Sequence, residues 1–216
     1  MDFVLLREKE TQLLNEWAAG CDGFIPDGVV NAEQYLASEI RLLYLLKEVN
    51  GGSDWDLRDF LRSGGRKQTW ENIARWTLGI RDFRHDLPWE RLHEISEGQR
   101  KDILQSICAV NVKKTAGSHT ANEKMVSDAA LRDSDFLKRQ IELYAPDMVI
   151  CCGTEKNYWH DVMKITPAWK MTVRGIWYFR EPNGRIVISY AHPEARVKDC
   201  LLYYGLVDAV REIMHS

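Results

Sequence analysis

Four short apolar runs divide the chain, and hydrophobic residues fill each run almost continuously instead of alternating with polar ones. The runs are "LLYLL" at Leu42–Leu46, "SICAVNV" at 106–112, "MVICC" at Met148–Cys152 and "IVISYA" at 186–191. A strand that is buried on both faces carries such a run, whereas a strand with one solvated face alternates. The pattern therefore predicts four short strands inside a parallel sheet.

Helical periodicity fills much of the chain around these runs. It covers residues 1–17, 31–40, 127–147 and 199–216, and "WYFREPNGRIVISY" predicts a hairpin that turns at Asn183 and Gly184. Short strands separated by helices predict an α/β fold, a three-layer α/β/α sandwich around a central, mostly parallel four-stranded sheet. With no repeat or linker in 216 residues, we expect a single domain over 1–216 with an N-terminal helical part at 1–40.

Composition excludes several classes of protein. No apolar run reaches the roughly 20 residues that a membrane helix needs, and the N-terminus has no basic, cleavable leader pattern. We therefore expect a cytoplasmic monomer with no membrane partner. The five cysteines contain no CxxC pair, so the sequence predicts no metal site. The formal net charge of -3 argues only weakly against nucleic acid, because a basic groove can lie on an acidic protein.

Polar residues follow each predicted strand. In open α/β sheets, ligands bind outside the carboxyl ends of the strands, so these residues mark the expected site. They are Glu48, Asn50, Gly51 and Gly52 after the first run, Asn111, Lys113 and Lys114 in and after the second, Gly153 after the third, and His192 and Arg196 after the fourth.

The same stretches carry a family resemblance. In order and spacing, "LLYLLKEVNGG", "AVNVKK", "APDMVICCGTEK" and "ISYAHPEAR" resemble the motifs of the uracil-DNA glycosylase superfamily, from residue 41 to the last helix. The resemblance implies an enzyme that flips a base out of duplex DNA and hydrolyses its N-glycosidic bond. It implies no metal or cofactor, and the product is an abasic site.

The resemblance also assigns roles. His192 would stabilise the departing base, and Asn111 would read the base edge. Val49 stands where relatives often carry a catalytic Asp or Asn, so Glu48 and Asn50 are both candidates for the catalytic polar group. Glu194 replaces the serine of a His-Pro-Ser motif. Trp70, beyond a glycine pair, is a further candidate for stacking on the flipped base.

Basic residues near the expected site predict contacts with the DNA backbone. Arg196 falls where the family inserts a wedge into the base stack, and Gly117, Ser118 and Thr120 offer further phosphate donors. The predicted DNA-binding residues are Arg66, Lys67, Lys113, Lys114, Arg196 and Lys198.

The glycine pair suggests the substrate. In uracil-specific members of the superfamily, a bulky residue soon after the first motif blocks C5 substituents of the base. This chain has Gly51 and Gly52 in that region, so the resemblance favours a C5-modified pyrimidine such as the glucosylated hydroxymethylcytosine of phage DNA. A uracil or mismatch repair glycosylase is an alternative, and so is a catalytically inactive nucleic-acid-binding module of the same fold. A nucleotide-binding α/β enzyme is disfavoured because no glycine-rich phosphate loop precedes a helix.

Overall fold

Eight α-helices surround the sheet in the part of the chain that the computed structural model describes, residues 2–52, 54–117 and 121–215. A 3₁₀ turn covers Trp89–Arg91 and a π-helix covers Asn157–Val162. The α-helices are α1 Phe3–Ala18, α2 Ala32–Leu36, α3 Leu57–Arg62, α4 Lys67–Arg81, α5 Glu97–Leu104, α6 Glu123–Arg132, α7 Ser134–Tyr144 and α8 Asp199–His215.

One mixed sheet joins the strands in the order β1-β3-β2-β4-β7-β6-β5. The neighbours β3, β2, β4 and β7 run parallel, whereas β1, β6 and β5 are attached antiparallel. The α/β class is confirmed, but the sheet of the described residues has seven strands instead of four. The strands are β1 Gly28–Val29, β2 Leu42–Leu46, β3 Cys108–Asn111, β4 Met148–Cys152, β5 Lys170–Met171, β6 Trp177–Arg180 and β7 Ile186–Tyr190.

The parallel strands are covered on both faces. Tyr44 of β2 faces one layer, where it packs with Trp76 of α4 and Leu206 of α8. Leu45, on the opposite face, packs with Ile141 of α7 in the second layer. Burial on both faces removes the need for polar positions in these strands, and this accounts for the continuous apolar runs.

Away from the sheet centre, one prediction from the sequence is confirmed and another is wrong. The hairpin is present, with Glu181 N donating to Arg185 O over 2.8 Å and β6 pairing antiparallel with β7. The single helix expected over 127–147 is instead two helices, α6 and α7, because Asp133 leaves helical geometry at ψ 16 and caps both.

Helices α4 and α8 touch directly at Gly79. A Cβ atom at this position would lie 2.5 Å from Cγ2 of Val207 and 2.6 Å from Cε2 of Tyr203. The absence of a side chain therefore lets the two helices approach closely, and both helices flank the segment that follows β7. None of the described helices is long and apolar enough to cross a membrane.

Candidate functional site

The carboxyl ends of the parallel strands lie at one edge of the sheet, as the sequence predicts. The segments that follow β2 and β3 remain paired with each other, since Lys113 N donates to Lys47 O over 2.9 Å. Beyond β4, Gly153 N donates to Tyr190 O of β7 over 2.8 Å. This edge therefore brings the segments that hold Glu48, Asn111 and His192 onto one continuous surface.

His192 follows β7 with one ring nitrogen already engaged. Its Nδ1 accepts a hydrogen bond from Glu194 N over 3.1 Å, so the neutral ring carries its proton on Nε2. His192 is an exposed residue whose ring is partly desolvated, and this desolvation lowers its pKa. The charges of Lys47 and Arg66 lower the pKa further, against the opposing effect of Glu194. A neutral imidazole with an uncommitted Nε2–H can donate to an oxygen that becomes negative during a reaction.

A buried polar network holds the His192 segment against α4. Asn72 Nδ2 donates to Pro193 O over 2.8 Å and to Asp199 Oδ1 over 3.0 Å. Arg75 Nη1 in turn donates to Asn72 Oδ1 over 2.8 Å and to Asp199 Oδ2 over 3.0 Å. The polar network was not predicted from the sequence, although "ENIAR" places polar residues among the buried apolar positions of α4.

Asn111 ends β3 and is only 3% exposed. Its backbone N donates to Asp27 Oδ2 over 2.7 Å, but its carboxamide forms no hydrogen bond to any residue that the structure describes. Its polar atoms are not among the fully buried side-chain atoms that lack a partner in the described structure, so they remain accessible at the edge of the sheet. The Asn111 carboxamide can therefore bind the polar edge of a ligand without first breaking an internal bond.

Glu48 follows β2 with a buried, ion-paired carboxylate. Lys113 Nζ donates to Glu48 Oε2 over 2.7 Å, and both side chains are less than a tenth exposed. A Cβ atom at Gly117 would lie 1.9 Å from Cδ of Glu48, so the carboxylate occupies the space of a missing side chain. Asn50 is exposed, and its backbone pairs with Gly117 in a single parallel bridge.

The two lysines after β3 are not on the surface, which corrects their predicted role. Lys113 is held by Glu48, and Lys114 is buried with its Nζ 2.5 Å from Asp27 Oδ1 and 2.8 Å from Gln140 Oε1. Burial lowers the pKa of Lys114, and the Asp27 carboxylate opposes this shift. Neither ammonium group can contact a DNA phosphate from this position.

Two other predicted contacts are also wrong. Trp70 is 5% exposed and packs over Gly65, where a Cβ would lie 2.5 Å from its Cδ1, so it offers no stacking face to a base. The Gly117 amide donates to Val49 O over 2.8 Å and is not free for phosphate. Ser118 and Thr120 lie outside the described residues.

The remaining predicted cations are exposed at the edge. Arg66 forms an ion pair with Glu194, and Lys67 Nζ lies 3.8 Å from Glu71 Oε2. Within the described part of the chain, Arg196 and Lys198 form no ion pair. These four residues retain the surface position that contact with a polyanion requires.

Two glycines after β2 leave open space. No atom lies within 4 Å of a Cβ built at Gly51 or Gly52. Gly51 has a φ of +127°, which side chains disfavour, whereas the backbone at Gly52 lies outside that region. The space that a side chain at either position would enter is therefore open, while the Gly52 carbonyl accepts a hydrogen bond from Trp55 Nε1 over 2.6 Å.

Lys47 belongs to the same edge, although the sequence analysis did not include it among the site residues. Its Nζ lies 3.7 Å from the position of a Cβ on Gly153, and it forms an ion pair with Glu123 at the start of α6. Its charge also acts on His192. Comparison with known proteins adds no further assignment: no family model matches the chain, and no curated protein matches it.

Proposed function

We propose that the protein is a monofunctional DNA glycosylase that excises a pyrimidine. The observation that carries the proposal is the Asn111 carboxamide, which forms no hydrogen bond to a described residue and keeps its polar atoms accessible at the edge that also holds a neutral His192. A flipped base presents donors and acceptors along its Watson–Crick edge, and a carboxamide can satisfy either kind.

The reaction uses the groups at this edge in complementary ways. When the C1′–N bond breaks, the electron pair leaves with the base and positive charge develops on the sugar. The His192 Nε2–H donates to the base oxygen that becomes negative. The Glu48 carboxylate stabilises the sugar cation, and Asn50 orients a water molecule. The water oxygen then bonds to C1′, and its proton ends on the departed base.

Duplex DNA is the proposed partner, and neither metal nor cofactor takes part. Arg66, Lys67, Arg196 and Lys198 supply exposed positive charge around the edge, which supports binding to the phosphate backbone. The resemblance of the four strand-end motifs to the uracil-DNA glycosylase superfamily supports the reaction type.

The open space at Gly51 and Gly52 favours a base with a C5 substituent, because glycine cannot exclude such a group by steric clash. Glucosylated or hydroxymethylated cytosine, as in phage DNA, is the proposed substrate class. Gly52→Leu should therefore reduce excision of the modified base about tenfold more than excision of uracil. Gly98→Leu is the matched control, because a Cβ at Gly98 also meets no atom within 4 Å.

A labelled-duplex assay tests both the activity and the substrate. Strands carrying uracil, cytosine, hydroxymethylcytosine or its glucosylated form are incubated with the protein and then treated with alkali, which cleaves abasic sites. We expect cleavage of the C5-modified strands at least equal to cleavage of the uracil strand. Excision of uracil alone would remove the proposed specificity while leaving the glycosylase in place.

One observation favours a second candidate function. The Glu48 carboxylate is buried and neutralised by Lys113, which weakens its effect on a sugar cation. A catalytically inactive nucleic-acid-binding module of the same fold would retain such a pair. In the same assay this module would bind the duplex without producing alkali-sensitive sites.

A further inference from the structure

Two cations beside the candidate site are held by carboxylates from distant parts of the chain. Lys47, after β2, forms its ion pair with Glu123, 76 positions away. Arg66, before α4, forms its pair with Glu194, and the Thr69 hydroxyl donates to the same Glu194 oxygen. In each case the carboxylate comes from a different segment that reaches the carboxyl edge of the sheet.

These pairs differ from the other ion pairs at this edge in their exposure to solvent. The side chain of Glu123 is 70% exposed and that of Glu194 is 33% exposed. Lys113 and Lys114 are instead paired with carboxylates that are almost fully buried. An ion pair whose carboxylate reaches solvent contributes little to stability, so the carboxylate exchanges readily for another anion.

We propose that Glu123 and Glu194 occupy positions that DNA phosphates take in the complex, so that DNA binding displaces both carboxylates and adds Lys47 to the contacts. Carboxylates and phosphates accept hydrogen bonds from the same Arg and Lys donors. The inference rests on the proposed function only for its partner, duplex DNA, and does not depend on base excision.

The exchange leaves His192 in position. The group of Glu194 that bonds His192 Nδ1 is its backbone N–H, whereas its carboxylate bonds Arg66 and Thr69. A phosphate can therefore replace the carboxylate on Arg66 while the imidazole keeps its hydrogen bond. Glu194→Gln would likewise keep the backbone contact and remove only the charge.

Equilibrium binding as a function of salt tests the inference. A fluorescein-labelled, unmodified duplex of about 20 base pairs is titrated with wild type, Glu123→Gln, Glu194→Gln and the double variant. Each Lys or Arg side chain that is freed from its carboxylate and pairs with a phosphate steepens the slope of log K against log salt by about 0.9. At about 0.1 M salt this corresponds to roughly eightfold tighter binding. Asp128→Asn is the matched control, since it removes one charge from an exposed ion pair on α6.

Each outcome decides the inference. The inference is supported if Glu123→Gln and Glu194→Gln bind DNA more tightly and with a steeper salt slope than Asp128→Asn does. This holds even if no base is excised. Equal or weaker binding than the control overturns it while leaving glycosylase activity open to its own assay. If neither wild type nor any variant binds DNA, both this inference and the proposed function fail.

Discussion

The ends of β3 and β7 look alike in sequence and differ in structure. At each strand end, one candidate polar residue is followed by two basic residues. Asn111 precedes Lys113 and Lys114, and both of these lysines are buried. His192 precedes Arg196 and Lys198, and both of these side chains are exposed. The same linear pattern therefore gives an internal ion-pair cluster at one strand end and a cationic surface at the other.

Backbone pairing explains the difference. Beyond β3 the chain bends at Val112 and Lys113 but stays paired between two neighbours, with Lys113 N donating to Lys47 O over 2.9 Å and Lys114 O accepting from Ile25 N over 2.7 Å. This pairing holds both lysines inside the structure, where Lys113 meets the Glu48 carboxylate and Lys114 meets the Asp27 carboxylate. Beyond β7, Pro193 cannot donate to a ladder, and Ala195 N closes a turn onto His192 O over 2.9 Å.

The largest expected effect is on stability at the β3 end. Lys114→Met leaves the Asp27 carboxylate buried without its charge partner, which should lower the free energy of unfolding by about 3 to 5 kcal/mol. Lys198→Met is the matched control at the β7 end and should change it by less than about 0.5 kcal/mol. Urea denaturation of both variants provides the measurement.

A double variant separates lost charge pairing from lost packing. Asp27→Asn combined with Lys114→Met removes both charges and should recover part of the loss. If Lys114→Met and Lys198→Met destabilise equally, the two strand ends do not differ as described.

The next effect concerns activity at the β7 end. His192→Ala removes the Nε2–H donor and should slow single-turnover excision about a hundred- to a thousandfold, or about 2.7 to 4 kcal/mol. Duplex affinity by anisotropy and the unfolding midpoint should stay close to wild type, because His192 is an exposed residue. Excision at the wild-type rate would exclude His192 from the chemistry.

The smallest expected effect is a pH shift at the same residue. The pKa of His192 is lowered below 6.5, so the neutral donor is present above the lowered pKa and is lost as pH falls through it. Lys47→Met removes a nearby positive charge that lowers this pKa and should therefore raise it. Glu194→Gln should lower it, because the Glu194 charge raises it.

Histidine NMR titration measures these shifts directly, and the acid limb of the excision rate should follow them. Lys198→Met serves as the control for general charge effects. If the excision rate falls at the same pH in wild type, Lys47→Met and Glu194→Gln, another group controls the pH dependence.

The sequence predicted the centre of the sheet because burial on both faces leaves a direct hydrophobic signal. Leu42–Leu46 and Met148–Cys152 match β2 and β4 residue for residue. The strands β1 and β5 contain only two residues each, too few to produce any periodicity. The break between α6 and α7 at Asp133 depends on local backbone geometry within a continuous amphipathic pattern.

The site was predictable at the level of the sheet edge but not at the level of each cation. The strand ends carry Asn111 and His192 where expected, since parallel strands align their carboxyl ends. The burial of Lys114 depends on Asp27, which is 87 positions away and not part of any strand-end motif. The burial of Trp70 depends on contact with Gly65 and on the position of α4 over the sheet.

The close approach of α4 and α8 has a consequence for genetics. Gly79 carries no chemistry and lies away from the strand-end edge, yet Gly79→Ala would force a methyl group into Val207 and Tyr203. Overpacking of this kind typically costs about 1 to 3 kcal/mol. A cell carrying that allele should lose the protein's function on warming and regain it on cooling. Gly79→Ala would thus provide a conditional allele that leaves every residue of the proposed site unchanged.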